Sequence, residues 1–180
     1  MNTFTHMLRD RDTPFHAQHL IHGCWHGEAD VTFHSYAPAQ NSALPWYFPE
    51  AGPTELTALT DSAAAAFSQY RHNSRAQRAA FLRQIALEIE ALGAVLIDTV
   101  MAETALPQAR VEGERGRTCT QLRLFAALLN EPADTVYQSA QPQRLPLPGP
   151  ELRLDVVPLG PVLVFAASNF VLLALWLRAG

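Results

Sequence analysis

From Val162 to Leu177 the chain carries no charge, and the only hydroxyl or amide side chains in that run are Ser168 and Asn169. Three outcomes are open to such a stretch. As a membrane span it falls short of the ~20 apolar residues that cross a bilayer, and an Asn near its middle is costly in hydrocarbon. As core it is a strand buried on both faces, "PVLVFAA", and part of a helix, joined at Ser168-Asn169 because an Asn can hydrogen-bond a turn backbone. As chemistry, an Asn at the carboxyl end of a buried strand holds an amide N–H where a developing oxyanion can sit. Spacing alone does not separate the second outcome from the third.

Upstream, the pattern predicts elements for that strand to join. In 19–39 short apolar stretches broken by Gly23 and Gly27 predict a small strand or hairpin, and "QNSALPWYFPEAGP" predicts an extended connector, since its prolines and lack of period forbid a helix. Thr54, after Pro53, can cap a helix whose apolar face is Leu56, Leu59, Ala63, Phe67 and Tyr70. "SRAQ" at 74–77 is a capping box. Beyond it Phe81, Leu82, Ile85, Ile89 and Leu92 form a stripe that stops at Gly93, a C′ residue. Leu96, Ile97, Val100 and Met101 predict a short helix, and another starts near Pro107 and runs through Leu122, Phe125 and Leu128. "DTVYQSA" and the alternating "ELRLDVV" flank a proline-rich turn, which predicts a half-exposed hairpin. The order is helices, a hairpin, then one buried strand, and a one-strand sheet is not a finished domain.

With 17% charged residues and a net charge of −4, the chain has no general attraction for nucleic acid or an anionic membrane. All 13 basic residues are arginines, which excludes Schiff-base chemistry on lysine. Cys24 and Cys119 stand far apart, so neither a disulfide framework nor a zinc ribbon is indicated, and a reducing cytoplasmic setting is the default. His22, Cys24 and His26 would share one strand face, but three neighbours on a flat strand do not close a tetrahedron, and no metal site is assigned. "VEGERGR" at 111–117 reads as a charged helix surface with Glu/Arg pairs, or as an arginine site for an acidic substrate.

Several motifs, in order from His19 to Phe170, resemble the aldehyde dehydrogenase superfamily, and most closely its branch that oxidises 2-oxoglutarate semialdehyde (2,5-dioxopentanoate). "HLIHGCW" is similar to the family's N-terminal hairpin, "SYAPAQNSALPWYFPEA" to its connector, "MAETALPQARVEGERGRTCTQLRLFAALL" to its "E-T-G-x-P" helix pair, and "PLGPVLVFAASNF" to its strand ending in "A-S-N-F-P". The resemblance implies an α/β fragment: the helices, bridging β-hairpin and first strand of a Rossmann-like NAD(P)-binding domain. It implies that Asn169 stabilises the oxyanion of a thiohemiacetal and that Ala166, Ala167 and Ser168 line the nicotinamide half of NAD or NADP. It further implies an aldehyde substrate, homo-oligomers in the intact family, and a nucleophilic cysteine and general-base glutamate in regions that this sequence does not contain.

The expected organisation is a polar disordered lead-in over 1–18, then hairpin, connector and helices over 19–134. A bridging hairpin follows over 135–157, then the buried strand over 158–170 and a divergent tail over 171–180. Ala105 stands where the family pattern has Gly, and Val171 where it has Pro. From there the sequence departs from the branch as a frameshifted reading would. The expectation is therefore an N-terminal fragment, inactive alone and prone to association. A tail-anchored membrane protein and a non-catalytic helical interaction module are the alternatives.

Overall fold

The computed structural model describes residues 15–27, 31–131, 157–166, 169, 170 and 172. Most of the lead-in, the hairpin expected over 135–157 except for Val157, and Ala167, Ser168 and most of the tail lie outside them.

Two small sheets open the chain. His19–Ile21 (β2) and Cys24–His26 (β3) pair antiparallel across a two-residue turn. Both turn residues, His22 and Gly23, have positive φ (52° and 75°), which suits the right-handed twist of a tight hairpin. Phe15–His16 (β1), Thr32–Ala37 (β4) and Ser42–Pro49 (β5) form the second sheet in the order β1-β5-β4, with β1 parallel and β4 antiparallel to β5. The end of the expected lead-in is thus strand, registered on Trp46 and Tyr47. The expected connector is strand as well. Its register shifts between His34 and Tyr36, so that Leu44–Trp46 stand opposite Ser35. Pro45 explains the shift, since it has no N–H to give the ladder and is accommodated in a bulge.

Four helices follow: Pro53–Tyr70 (α1), Arg75–Ala91 (α2), Gly93–Thr104 (α3) and Gln108–Leu128 (α4). The cap of α1 is Gly52 rather than Thr54, and the Gly52 N–H donates to the Glu55 carboxylate at 3.0 Å. Ser74 and Gln77 form the reciprocal box: the Gln77 N–H donates to Ser74 Oγ at 3.2 Å and the Ser74 N–H to Gln77 Oε1 at 2.8 Å. Gly93, at φ 56°, makes the left-handed break between α2 and α3.

The core lies between α2, α3 and α4. Ala79, Leu82, Ala86 and Ile89 of α2 and Leu96, Ile97 and Val100 of α3 pack against Val111, Cys119, Leu122 and Ala126 of α4. Phe81, Phe125 and Leu128, expected inside, are 40–48% exposed, because the small residues Ala86 and Ala126 turn the contact face away from them. The stripe of α1 buries nothing completely: Leu59, Phe67 and Tyr70 are half-buried and Leu56 and Ala63 exposed. That helix rests on the β2–β3 hairpin, where the His22 N–H donates to Ser62 Oγ at 3.1 Å. Ser35 of β4 donates to the Glu103 carboxylate and ties the larger sheet to α3.

The strand expected over 158–170 forms no ladder among the described residues. Residues 157–166 have no strand partner among the described residues, and Leu159, Val162, Leu163 and Phe165 are 97, 70, 79 and 85% exposed. A β-strand exists only through a ladder to a neighbour, and the five described strands pair among themselves. Leu172, in the stretch expected as a divergent tail, is 1% exposed and belongs to the helical core.

Candidate functional site

Asn169 lies in a turn with its side chain exposed, directly before the half-buried Phe170. Two contacts dock this short segment on the helices. Leu172 enters the core, and the Phe170 ring lies against α4, with the guanidinium carbons of Arg110 and Arg117 at 5.0 and 5.4 Å from its centroid. Those distances are in the cation–π range. The spacing of Arg110, Glu114 and Arg117 (i, i+4, i+7) puts all three on one side of α4.

Glu114 is the unusual member of that set. Its side chain is 4% exposed, and Oε1 accepts from Arg110 Nε at 3.0 Å. Its other oxygen, Oε2, and the hydroxyl of Thr118 one turn on are buried without a hydrogen-bond partner among the described residues. Sequence reading took "VEGERGR" as a charged surface or an arginine site; the structure leaves most of it at the surface and buries Val111 and Glu114. The missed signal is the i, i+3/i+4 run of Val111, Glu114, Thr118, Cys119 and Leu122, whose polar members hid a buried face.

The remaining α4 arginines are committed elsewhere. Arg115 donates to the Gly93 carbonyl at 3.3 Å, and Arg123 makes a two-pronged bond to Glu90 at 2.7 and 2.6 Å. That bond holds the Glu90 carboxyl below its ordinary value of 4.5.

Cys119 is fully buried on α4, its thiol donates to the Ala86 carbonyl at 3.6 Å, and burial pushes its pKa up, which keeps it a neutral core group. Cys24 is exposed on β3. The set His22, Cys24, His26 is split, since His22 belongs to the hairpin turn; no three His, Cys, Asp or Glu among the described residues are grouped to hold a metal. The hairpin does border an open cavity of about 630 Å³, lined on its other side by Thr54, Glu55 and Ala58 of α1 and built from other elements than those around Asn169. Of the three residues expected to line a cofactor, only Ala166 is described; it is exposed, and it has no side chain beyond Cβ to keep a planar ring from the backbone.

No described helix is long and apolar enough to cross a membrane. Residues 25–179 match the model of the aldehyde dehydrogenase family, so the match runs past Phe170. The alpha-ketoglutaric semialdehyde dehydrogenase 2 of Azospirillum brasilense is 50% identical over 125 residues, which are 68% of this chain and 24% of that protein. An alpha-ketoglutaric semialdehyde dehydrogenase of Acinetobacter baylyi is 43% identical over 127 residues, 69% of this chain and 24% of that protein. The chain thus spans about a quarter of the length of the curated relatives it matches. An NAD-dependent benzaldehyde dehydrogenase of Corynebacterium glutamicum superposes on 72% of this chain and 28% of its own, with a TM-score of 0.60 at 18% identity, a likeness of fold. A family match over most of the chain and two relatives at 43% identity or more agree with the order of its hairpins and helices: the chain belongs to the aldehyde dehydrogenase family.

Proposed function

We propose that this chain is the N-terminal part of an NAD(P)-dependent aldehyde dehydrogenase that oxidises 2-oxoglutarate semialdehyde to 2-oxoglutarate, and that Asn169 supplies an oxyanion-binding amide. The observation that carries the reading is the docking of the Asn169–Phe170 turn. Phe170 and Leu172 anchor it from one side while the Asn169 side chain stays exposed to a substrate. An amide held on a fixed backbone needs no reorganisation when charge develops on the aldehyde oxygen. Ala166, Ala167 and Ser168 would lie against the nicotinamide half of NAD or NADP, which when bound supplies a hydride acceptor. Cys119 is buried with its pKa pushed up, and Cys24 belongs to the N-terminal hairpin, so neither is assigned the nucleophile's role.

The test is a chimaera in which residues 25–170 replace the matching segment of the Azospirillum relative. The folded chimaera should oxidise 2-oxoglutarate semialdehyde, its Asn169→Ala form should lose about 10²–10³-fold in kcat, and the 180-residue chain alone should be inert. Turnover by the chain alone, or an Asn169→Ala chimaera as fast as its parent, would overturn the reading.

A further inference from the structure

We propose that the cavity between the β2–β3 hairpin and the start of α1 binds a small organic monocation, an ammonium group carried on an apolar or aromatic body. No residue of 157–172 is involved, so the site stands or falls apart from the function proposed above. At about 630 Å³ the cavity lies in the size range of sites that take small molecules. Ile21, Trp25 and Ala58 supply apolar lining, and His22, His26 and Glu55 supply polar lining. At pH 7, with histidine neutral, Glu55 is the one charged side chain among the described residues of the lining. Charge therefore selects a cation, and the apolar walls select one with a hydrocarbon body.

The site is held in shape before any ligand arrives. The Gly52 N–H donates to Glu55 Oε2 at 3.0 Å, which ties the carboxylate to the backbone, while Oε1 takes no hydrogen bond among the described residues. One oxygen is thus fixed and the other is left to meet an ammonium N–H, with little side-chain freedom still to lose. The His22 N–H donates to Ser62 Oγ at 3.1 Å and keeps the hairpin turn at its distance from α1. Trp25 borders the cavity and is 52% exposed, and an indole is the strongest aromatic partner for a cation. Other occupants fit less well. The start of a helix draws anions, but here a carboxylate of the first turn already stands there and repels a second one. A metal ion lacks ligands, since no three His, Cys, Asp or Glu among the described residues are grouped to hold one.

Equilibrium dialysis of the full 180-residue chain against three ring compounds of matched size tests the site: benzylamine, a cation at pH 7, neutral benzyl alcohol and anionic benzoate. Benzylamine should bind at least about tenfold more tightly than the other two. Glu55→Gln keeps an acceptor for the Gly52 N–H, as glutamine does in a capping box, and removes the charge; it should weaken benzylamine about tenfold and leave benzyl alcohol unchanged. Trp25→Leu keeps apolar bulk without the ring and should weaken benzylamine about three- to tenfold. Added salt should weaken benzylamine in the parent and not in Glu55→Gln. No retention of benzylamine by the parent overturns the proposal. Benzyl alcohol bound as tightly as benzylamine, or benzylamine indifferent to Glu55→Gln, overturns it in favour of a plain apolar pocket, and preference for benzoate overturns it in favour of an anion at the helix start.

Discussion

Ala105 closes α3 at φ 57°, ψ 18°, with its N–H donating to the Met101 carbonyl at 2.9 Å. A Cβ in the left-handed region costs free energy that glycine does not pay, which gives a physical reason for the family's glycine there. Ala105→Gly should raise stability by about 0.5–1 kcal/mol, the strain relieved less the added freedom of the unfolded chain, as read by urea denaturation. Leu122, completely buried on α4, is the opposite case: Leu122→Ala leaves a cavity and should cost about 2–5 kcal/mol in the same measurement. The capping box and the glycine breaks were legible at this scale because each depends on neighbours in the chain. Glu114 was not, since the buried run it shares with Val111, Thr118, Cys119 and Leu122 is half polar and does not read as a core face.

Helix α4 is tied to α2 at its C-terminal end and again one to two turns earlier. Arg75, the first residue of α2, donates to the carbonyls of Leu128, Leu129 and Glu131 at 2.9–3.1 Å, the acceptors that the end of α4 leaves without helical donors. Arg75→Ala should cost about 1 kcal/mol and show first as faster amide exchange in the last turn of α4. Glu90 and Arg123 join α2 to α4 further along. Because folding lowers the Glu90 pKa, the bond adds stability above the ordinary value of 4.5 and loses it as pH falls through the lower folded value. Glu90→Gln should therefore be the less stable form at neutral pH, and its melting curve should converge on the parent's as pH falls below 4.5. Both side chains are 42–43% exposed, so added salt should also narrow the gap. A gap that persists at low pH would assign the effect to packing.

In the whole molecule the exposed apolar residues of 157–166 are the feature with consequences for behaviour. Leu159, Leu163 and Phe165 are exposed along one short run, the kind of apolar surface that favours association. Leu163→Asp combined with Phe165→Asp should shift sedimentation toward monomer and leave the melting temperature unchanged, because neither residue touches the core. The sequence by itself determined the helices, the Ser74–Gln77 capping box and the family, because period, that box and motif order are local properties that survive without a partner. Only the tertiary structure decided that Pro45 and Pro49 of the connector stand in a bulged strand, that the stripe of α1 buries nothing completely, and that "PVLVFA" has no strand partner among the described residues. It also decided that Arg110 and Arg117 meet Phe170. Each of these is a contact between residues far apart in the chain, and burial and pairing are fixed by what packs against a segment rather than by the segment's own composition.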